Sequence, residues 1–254
     1  MRTIDLNCDM GESFGAWKMG DDEAVLPHVT SINVACGLHA GDWKVMHRTV
    51  QAAFAHGVSV GAHPSLPDLQ GFGRRVMQIS VDEIYDVVLY QVGALDAFCR
   101  ALGGRLAHVK AHGALYNMAA KDHKLAHAIA KAVADLDRGL VLFGLAGSAL
   151  TKAGRDAGLQ IANEVFADRS YQPDGSLTPR NLPGSMIEDV QASLAQVEDM
   201  MTRGRVRAQD GTELAIDADT ICIHGDQPGA AQFAREVRGL LARLGIGVAP
   251  AGKS

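Results

Sequence analysis

The sequence predicts an α/β fold, a single-domain (β/α) barrel of seven or eight strands, and three observations carry that expectation. Short apolar runs alternate with helical stretches along the whole chain, the pattern of βαβ units and a parallel sheet. Three of these runs carry one strongly polar face: Asp5, Asn7 and Asp9; His108, Lys110 and His112; Cys222, His224 and Asp226. An open sheet covered by helices on both sides would bury two apolar faces, so these polar faces predict a sheet closed around them. A length of 254 residues, 47% hydrophobic and 21% charged, suits one such domain spanning 1–254, with no linker.

The elements follow in order. Thr3 to Asp9 alternates with period two, so Ile4, Leu6 and Cys8 face one way and Asp5, Asn7 and Asp9 the other. A loop with Glu12 follows. The second strand, Ser31 to Cys36, leads into a turn made by Gly37 and Gly41 that carries His39. Asp42 is placed to cap the next helix, whose apolar stripe is Trp43, Met46, Val50, Ala53 and Phe54. A third strand, Val58 to Ala62, runs into His63 and is stopped by Pro64. The loop 67–75 precedes a capping box, Ser80 and Glu83, that opens a helix reaching about Leu102.

The fourth strand, Leu106 to His112, turns at Gly113, and a helix spans Lys121 to Asp137. The fifth strand is Leu140 to Leu145, a short helix runs from Ser148 to Asp156, and the sixth strand is Gln160 to Phe166. A long polar loop then covers 167–184; loops of this length are functional covers or are disordered. Ser185 and Glu188 read as a second capping box, opening a helix that ends at Gly204. A hairpin insertion near 206–216 turns about Asp210-Gly211. The seventh strand begins at Thr220, Pro228 opens the last helix, and Ile246 to Ala249 reads as a final short strand.

A net charge of -5 and a pI near 6.0, with no Lys/Arg stripe, argue against a nucleic-acid surface. The cysteines Cys8, Cys36, Cys99 and Cys222 lack metal-finger spacing and read as buried thiols of a reducing, cytoplasmic compartment. No apolar run is long enough to span a membrane, and the strand at Thr3 to Cys8 leaves no room for a signal peptide. The tail from Gly247 to Ser254 matches G-x-x-x-x-G-K-S, but the sequence stops where the phosphate-binding helix would start, so the match is read as chance. No G-x-S-x-G elbow supports a serine hydrolase.

In a barrel the chemistry lies at the C-terminal strand ends. Those ends carry Asp9 with Glu12, His39, His63, Lys110 with His112, Glu164 with Asp168 and Arg169, and His224 with Asp226. Lys110 is read as an inward ammonium, held by Asp9 or Asp5, that neutralises an anionic group or an oxyanion; the plain alternative is a structural ion pair. Asp9, His39 and His63 could hold a divalent metal; otherwise they form a hydrogen-bonded acid–base cluster. Arg169 or Arg180 could clamp a carboxylate, or the loop could simply carry surface charge. Asp226 could merely cap the last helix.

Longer motifs carry a resemblance. Asp5-Leu-Asn-Cys-Asp-Met-Gly-Glu-Ser-Phe-Gly15, Asn33-Val-Ala-Cys-Gly-Leu-His-Ala-Gly-Asp42, Gly61-Ala-His-Pro-Ser65 and Gly71-Phe-Gly-Arg-Arg75 resemble the LamB/YcsF family. So do Val109-Lys-Ala-His-Gly-Ala-Leu-Tyr-Asn117, Glu164-Val-Phe-Ala-Asp-Arg-Ser-Tyr171 and Ile223-His-Gly-Asp226. The resemblance implies a seven-stranded barrel related to glycoside hydrolases and deacetylases. It implies ATP-dependent opening of the lactam of 5-oxo-L-proline to L-glutamate, in a complex with 5-oxoprolinase subunits B and C. Catalytic roles are then expected of Asp9, Glu12, Lys110, His112, Glu164 and His224. Binding of a small anionic substrate is expected of Asn7, His39, His63, Asp168, Arg169 and Asp226. ATP enters as co-substrate, with no recognisable nucleotide site in the sequence. Two rivals remain: a metal-dependent amidase or deacetylase, and a non-catalytic scaffold subunit.

Overall fold

The computed structural model describes residues 2–225 and 229–252. Its frame is a closed parallel barrel. Strands β1 (Thr3–Met10), β2 (Ser31–Ala35), β3 (Ser59–His63), β4 (His108–Lys110), β5 (Val141–Leu145) and β6 (Gln160–Phe166) pair in sequence order. A short antiparallel hairpin, β7 (Arg205–Arg207) and β8 (Glu213–Ala215), stands outside the barrel. Strand β9 (Thr220–Ile223) then pairs with β6 on one side and β1 on the other, which closes the ring at seven strands. A last short strand, β10 (Gly247–Val248), pairs with the start of β1.

The helices are α1 (Asp22–Val25), α2 (Trp43–Ala55), α3 (Val81–Ala101), α4 (Gly113–Ala119), α5 (His123–Leu136), α6 (Ala149–Asp156), α7 (Val190–Arg203) and α8 (Ala230–Arg243). The main core lies between the barrel and this helical layer, where Ile4, Leu6, Cys8, Ile32, Val34 and Val109 meet Val50, Leu95 and Ile129. Inside the barrel a small apolar cluster of Val141, Phe143 and Ala162 has Ala251 packed against it. The tail that mimics a phosphate loop is thus partly β10 and partly packing; Lys253 and Ser254 lie outside the described residues.

Local signals hold at most boundaries. The Asp42 carboxylate accepts from the N–H groups of Lys44 and Val45, capping α2. Ser80 and Glu83 form the reciprocal capping box of α3.

Three expectations fail, and one stretch had no reading. Trp43, read as part of the buried stripe of α2, is 70% exposed, because it occupies the first helical position on the rim. The helix expected from Ser185 begins at Val190 instead, with Asp189 capping through Ala192 N–H. Ser185 is used elsewhere: its carbonyl accepts from Arg169 and its hydroxyl donates to the Arg180 carbonyl. Gly113, read only as the turn after the strand, opens helix α4, since the chain coils directly from the strand end. A short helical stretch, α1 with a 3-10 turn at Leu26–His28, had no reading at all. The opening of the last helix by Pro228 lies outside the described residues.

Candidate active site

Strand β4 is three residues long, and its alternation sends Val109 to the helical layer and Lys110 into the barrel. The Lys110 ammonium, with a side chain 3% exposed, lies between Asp9 Oδ1 (2.9 Å) and Glu164 Oε1 (2.8 Å). It also donates to Asn7 Oδ1 (3.1 Å) and Cys222 Sγ (3.1 Å). Burial alone would lower this lysine, but the Asp9 and Glu164 carboxylates outweigh it and hold it well above the usual range. Burial likewise opposes charge on Asp9, yet His63 and Lys110 hold its carboxyl well below the usual range. The pair is therefore ionised at neutral pH. The Cys222 thiol is pushed well up by burial and stays protonated.

Beneath Lys110 a net of neutral donors fixes the charges. Asn7 donates to Glu164 Oε1 (3.0 Å) and to the Thr220 hydroxyl (2.7 Å). Asn33 donates to Asn7 Oδ1 (2.7 Å) and Asp9 Oδ1 (2.8 Å), and its own carbonyl faces His108 Nε2 (2.8 Å). Asp5 is not a partner of Lys110. It accepts from the hydroxyls of Thr30, Ser31 and Thr220 one layer lower. Gly61 makes room for this packing, since a Cβ there would lie 2.1 Å from His108 Nε2.

Three histidines cluster on the other side of Asp9. His63 Nδ1 donates to the Lys110 carbonyl (2.7 Å), and His112 Nε2 donates to the Phe72 carbonyl (2.8 Å). Each backbone acceptor fixes which nitrogen carries the proton. His63 Nε2 then faces both Asp9 Oδ2 (3.2 Å) and His112 Nδ1 (2.9 Å). His39 stacks on His112 with ring centroids 4.0 Å apart, and neither of its buried ring nitrogens has a hydrogen-bond partner. Burial pushes His39 and His112 well below the usual histidine range. Glu12 Oε1 lies 3.9 Å from His112 Nδ1. Glu12, His39, His63 and His112 bring ligand atoms within 4.8 Å of one another, so this group could hold a metal ion. It shares His39 and His63 with the expected metal set, but Glu12 and His112 stand where Asp9 was expected. Asp9 groups instead with Cys222 and His224.

The loop after β6 covers the third side. It is folded, with bridges between Arg169 and Met186 and between Tyr171 and Leu177. Tyr171 is fully buried and its hydroxyl accepts from Phe166 N–H (2.9 Å). Arg169 spends its guanidinium on the loop's own carbonyls, Ser185 (3.0 Å) and Thr178 (2.6 Å). Burial and the neighbouring Arg180 bring it down to about 10. Arg180 reaches from the loop to His224, donating to Nε2 at 2.8 Å. That leaves Nδ1 as the donor to Asp168, at 2.8 to 2.9 Å. Despite burial, His224 and both arginines hold the Asp168 carboxyl below its usual value.

These groups enclose a cavity of about 50 Å³, lined among others by Asp9, Glu12, His63, Lys110, His112 and His224. Arg169 lines it too. Asn7 and Glu164 lie under it, His39 behind it, and Asp168 supports His224. Asp226 lies outside the described residues. Arg74, Tyr116 and Asn117 also line the cavity and were not singled out from the sequence. Tyr116 and Asn117 were hidden because the stretch after Gly113, helix α4, had no reading of its own. Glu164 Oε2 and the Tyr116 hydroxyl are buried with no hydrogen-bond partner.

The fold and site define a class: a seven-stranded β/α barrel with a buried cluster of paired charges and histidines at its C-terminal mouth. The comparisons place the chain more narrowly. The LamB/YcsF family model matches residues 4–254, and the chain belongs to that family. The A subunit of 5-oxoprolinase from Bordetella parapertussis is 63% identical over 245 residues, covering 96% of this chain and 97% of that one. The corresponding A subunit from Geobacillus kaustophilus is 58% identical over 248 residues, covering 98% and 96%. The crystal structure of the lactam utilization protein from Thermus thermophilus superposes with a TM-score of 0.91 at 47% identity, covering 97% and 99%. Among the described residues no helix is long and apolar enough to cross a membrane.

Proposed function

We propose that this chain is the A subunit of an ATP-dependent 5-oxoprolinase, a hydrolase that opens the lactam of 5-oxo-L-proline to L-glutamate. The names of its relatives support that reading. The observation that carries it is the charged Lys110 ammonium at a small cavity that Arg74, Arg169 and Arg180 also line. Such a cavity suits a small anion, and 5-oxoproline is one.

The residues divide the work as follows. Arg180, which reaches from the loop to His224, and Arg74 bring positive charge to the cavity wall for the substrate carboxylate, while the Arg169 guanidinium holds loop carbonyls. Lys110 neutralises negative charge at the reacting centre, on the phosphoryl group that the lactam oxygen would carry. Asp9, with His63, orients and deprotonates the attacking water. Glu12, His112 and His224 line the cavity wall beside the reacting groups, and Glu164 and Asn7 position Lys110 from below. A lactam is an unactivated amide. Transfer of the γ-phosphoryl group of ATP to its oxygen makes the carbon a better electrophile, with ADP and phosphate as the co-products. The nucleotide and the B and C subunits belong to the assembled complex, in a cytoplasmic compartment.

Replacing Lys110 with Met leaves Asp9 and Glu164 buried without their cation, which costs about 3–5 kcal/mol of stability. Asp9→Asn and Lys110→Met are expected to lower glutamate release by the assembled complex at least about 100-fold. Full activity in both folded, assembled variants contradicts the assignment. The unpartnered nitrogens of His39 favour one second reading, a metal-dependent amidase. That enzyme would turn over without ATP and stop on chelation. A scaffold role is disfavoured by the charged interior, because burying charge costs stability without serving a scaffold.

A further inference from the structure

We propose that Glu12, His39, His63 and His112 form a site for one divalent transition-metal ion at the barrel mouth. This deepens the reading of the same cavity but does not depend on the substrate or on ATP.

The argument begins with tautomers. His63 and His112 each give their outer N–H to a backbone carbonyl, Lys110 and Phe72 respectively. With neutral rings, their inner nitrogens are then both lone pairs, yet they face each other at 2.9 Å. Backbone carbonyls that fix the far nitrogen are the usual outer support of a metal-ligating histidine. A proton on His63 Nε2, which also lies 3.2 Å from Asp9 Oδ2, would explain that one contact. It leaves His39 unexplained.

His39 is the independent observation. It is 1% exposed, and neither ring nitrogen has a hydrogen-bond partner. An unsatisfied buried polar group is costly, so such a ring calls for a partner the protein itself does not provide. The ring lies among the others, stacked on His112 and edge-on to His63 with centroids 5.7 Å apart. Glu12, itself 8% exposed, completes the group of ligand atoms within 4.8 Å.

The cradle is built in advance. Phe72 holds φ at 54°, a conformation rare for a bulky residue, and from there its carbonyl anchors His112. At Gly73 an added Cβ would lie 2.9 Å from both the His39 Cβ and the His112 ring, so the backbone of loop 67–75 rests directly on the two histidines. Three imidazoles and one carboxylate suit zinc, iron(II), cobalt or nickel, and suit magnesium or calcium poorly. When bound, such an ion supplies Lewis acidity toward a carbonyl oxygen or a water.

The test is equilibrium binding. Protein stripped with a chelator is titrated with Zn²⁺ against a chromogenic chelator, and with Co²⁺ by visible absorption. The expected result is one equivalent per chain, with cobalt bands of a nitrogen-rich site. His39→Leu and Glu12→Gln are each expected to weaken binding at least about tenfold, while His47→Ala, on α2 away from the site, leaves it unchanged. His39→Leu should fold at least as stably as the stripped wild type, since it loses no hydrogen bond. No zinc binding, or binding that neither His39→Leu nor Glu12→Gln weakens, overturns the proposal. If His39→Leu fails to fold, Glu12→Gln decides. Absence of metal would leave the lactam reading standing, and failure of glutamate release would leave a bound metal standing.

Discussion

His108 is a buried base with no place for a second proton. Its Nε2 faces Asn33 and its ring stacks on Phe143 with centroids 4.1 Å apart. Burial and the nearby Lys110 charge push it down from 6.5 to about 3. A depressed histidine favours the folded state fully above the unfolded value of 6.5. That stability drains away as pH falls below 6.5 toward about 3, because only the unfolded chain takes the proton. Between pH 7 and 5.5 the wild type should therefore lose about 1 kcal/mol more than His108→Gln, measured by urea unfolding. Equal losses would mean that His108 titrates normally in the fold. In the sequence, His108 counted only as part of a polar strand face and Asn33 only as the start of a motif. Their importance arises from contacts such as that between β2 and β4, across residues 75 apart. Lys110 was different, because a lysine in a short apolar strand is conspicuous alone.

The loop after β6 behaves as a folded cover rather than a free strand of chain. Gln196 of α7 stitches its root by donating toward the carbonyls of Phe166 (3.0 Å), Ala167 (3.4 Å) and Arg169 (3.0 Å). Its tip is tied by Arg180 to His224. Arg169, Leu177 and Arg180 of this cover line the cavity wall, so the loop forms one side of the space a ligand would enter. Gln196→Ala should leave those carbonyls unsatisfied, cost about 1–3 kcal/mol, and speed amide exchange across 166–171. Unchanged exchange there would show that the root is held by other contacts. Loop length marked this segment from the sequence, and the Ser185 capping signal misled. A serine offers the same oxygen to a helix start or to a loop carbonyl, and only the neighbouring Arg169 and Arg180 decide between them.

Barrel closure was legible because polar faces on β1, β4 and β9 could be reconciled only inside a ring. That reasoning recovered a closed barrel of seven or eight strands, seven in the structure, and the mouth where Asp9, Lys110, His63, His112 and His224 meet. It did not recover the partition of charge, with Asp9 and Glu164 on Lys110 and Asp5 retired to hydroxyl partners, because strand register sets it. It also left the histidine cluster without Glu12 and His112 as potential ligands together. The closed ring brings every chemical group to one enclosed end, which is the arrangement expected of a catalytic component. The most direct measurement is glutamate release from 5-oxo-L-proline by the purified chain, with and without ATP and the B and C subunits. Release that requires ATP and both other subunits is the predicted result. Release by the chain alone without ATP, or none from the complete mixture, would contradict the assignment.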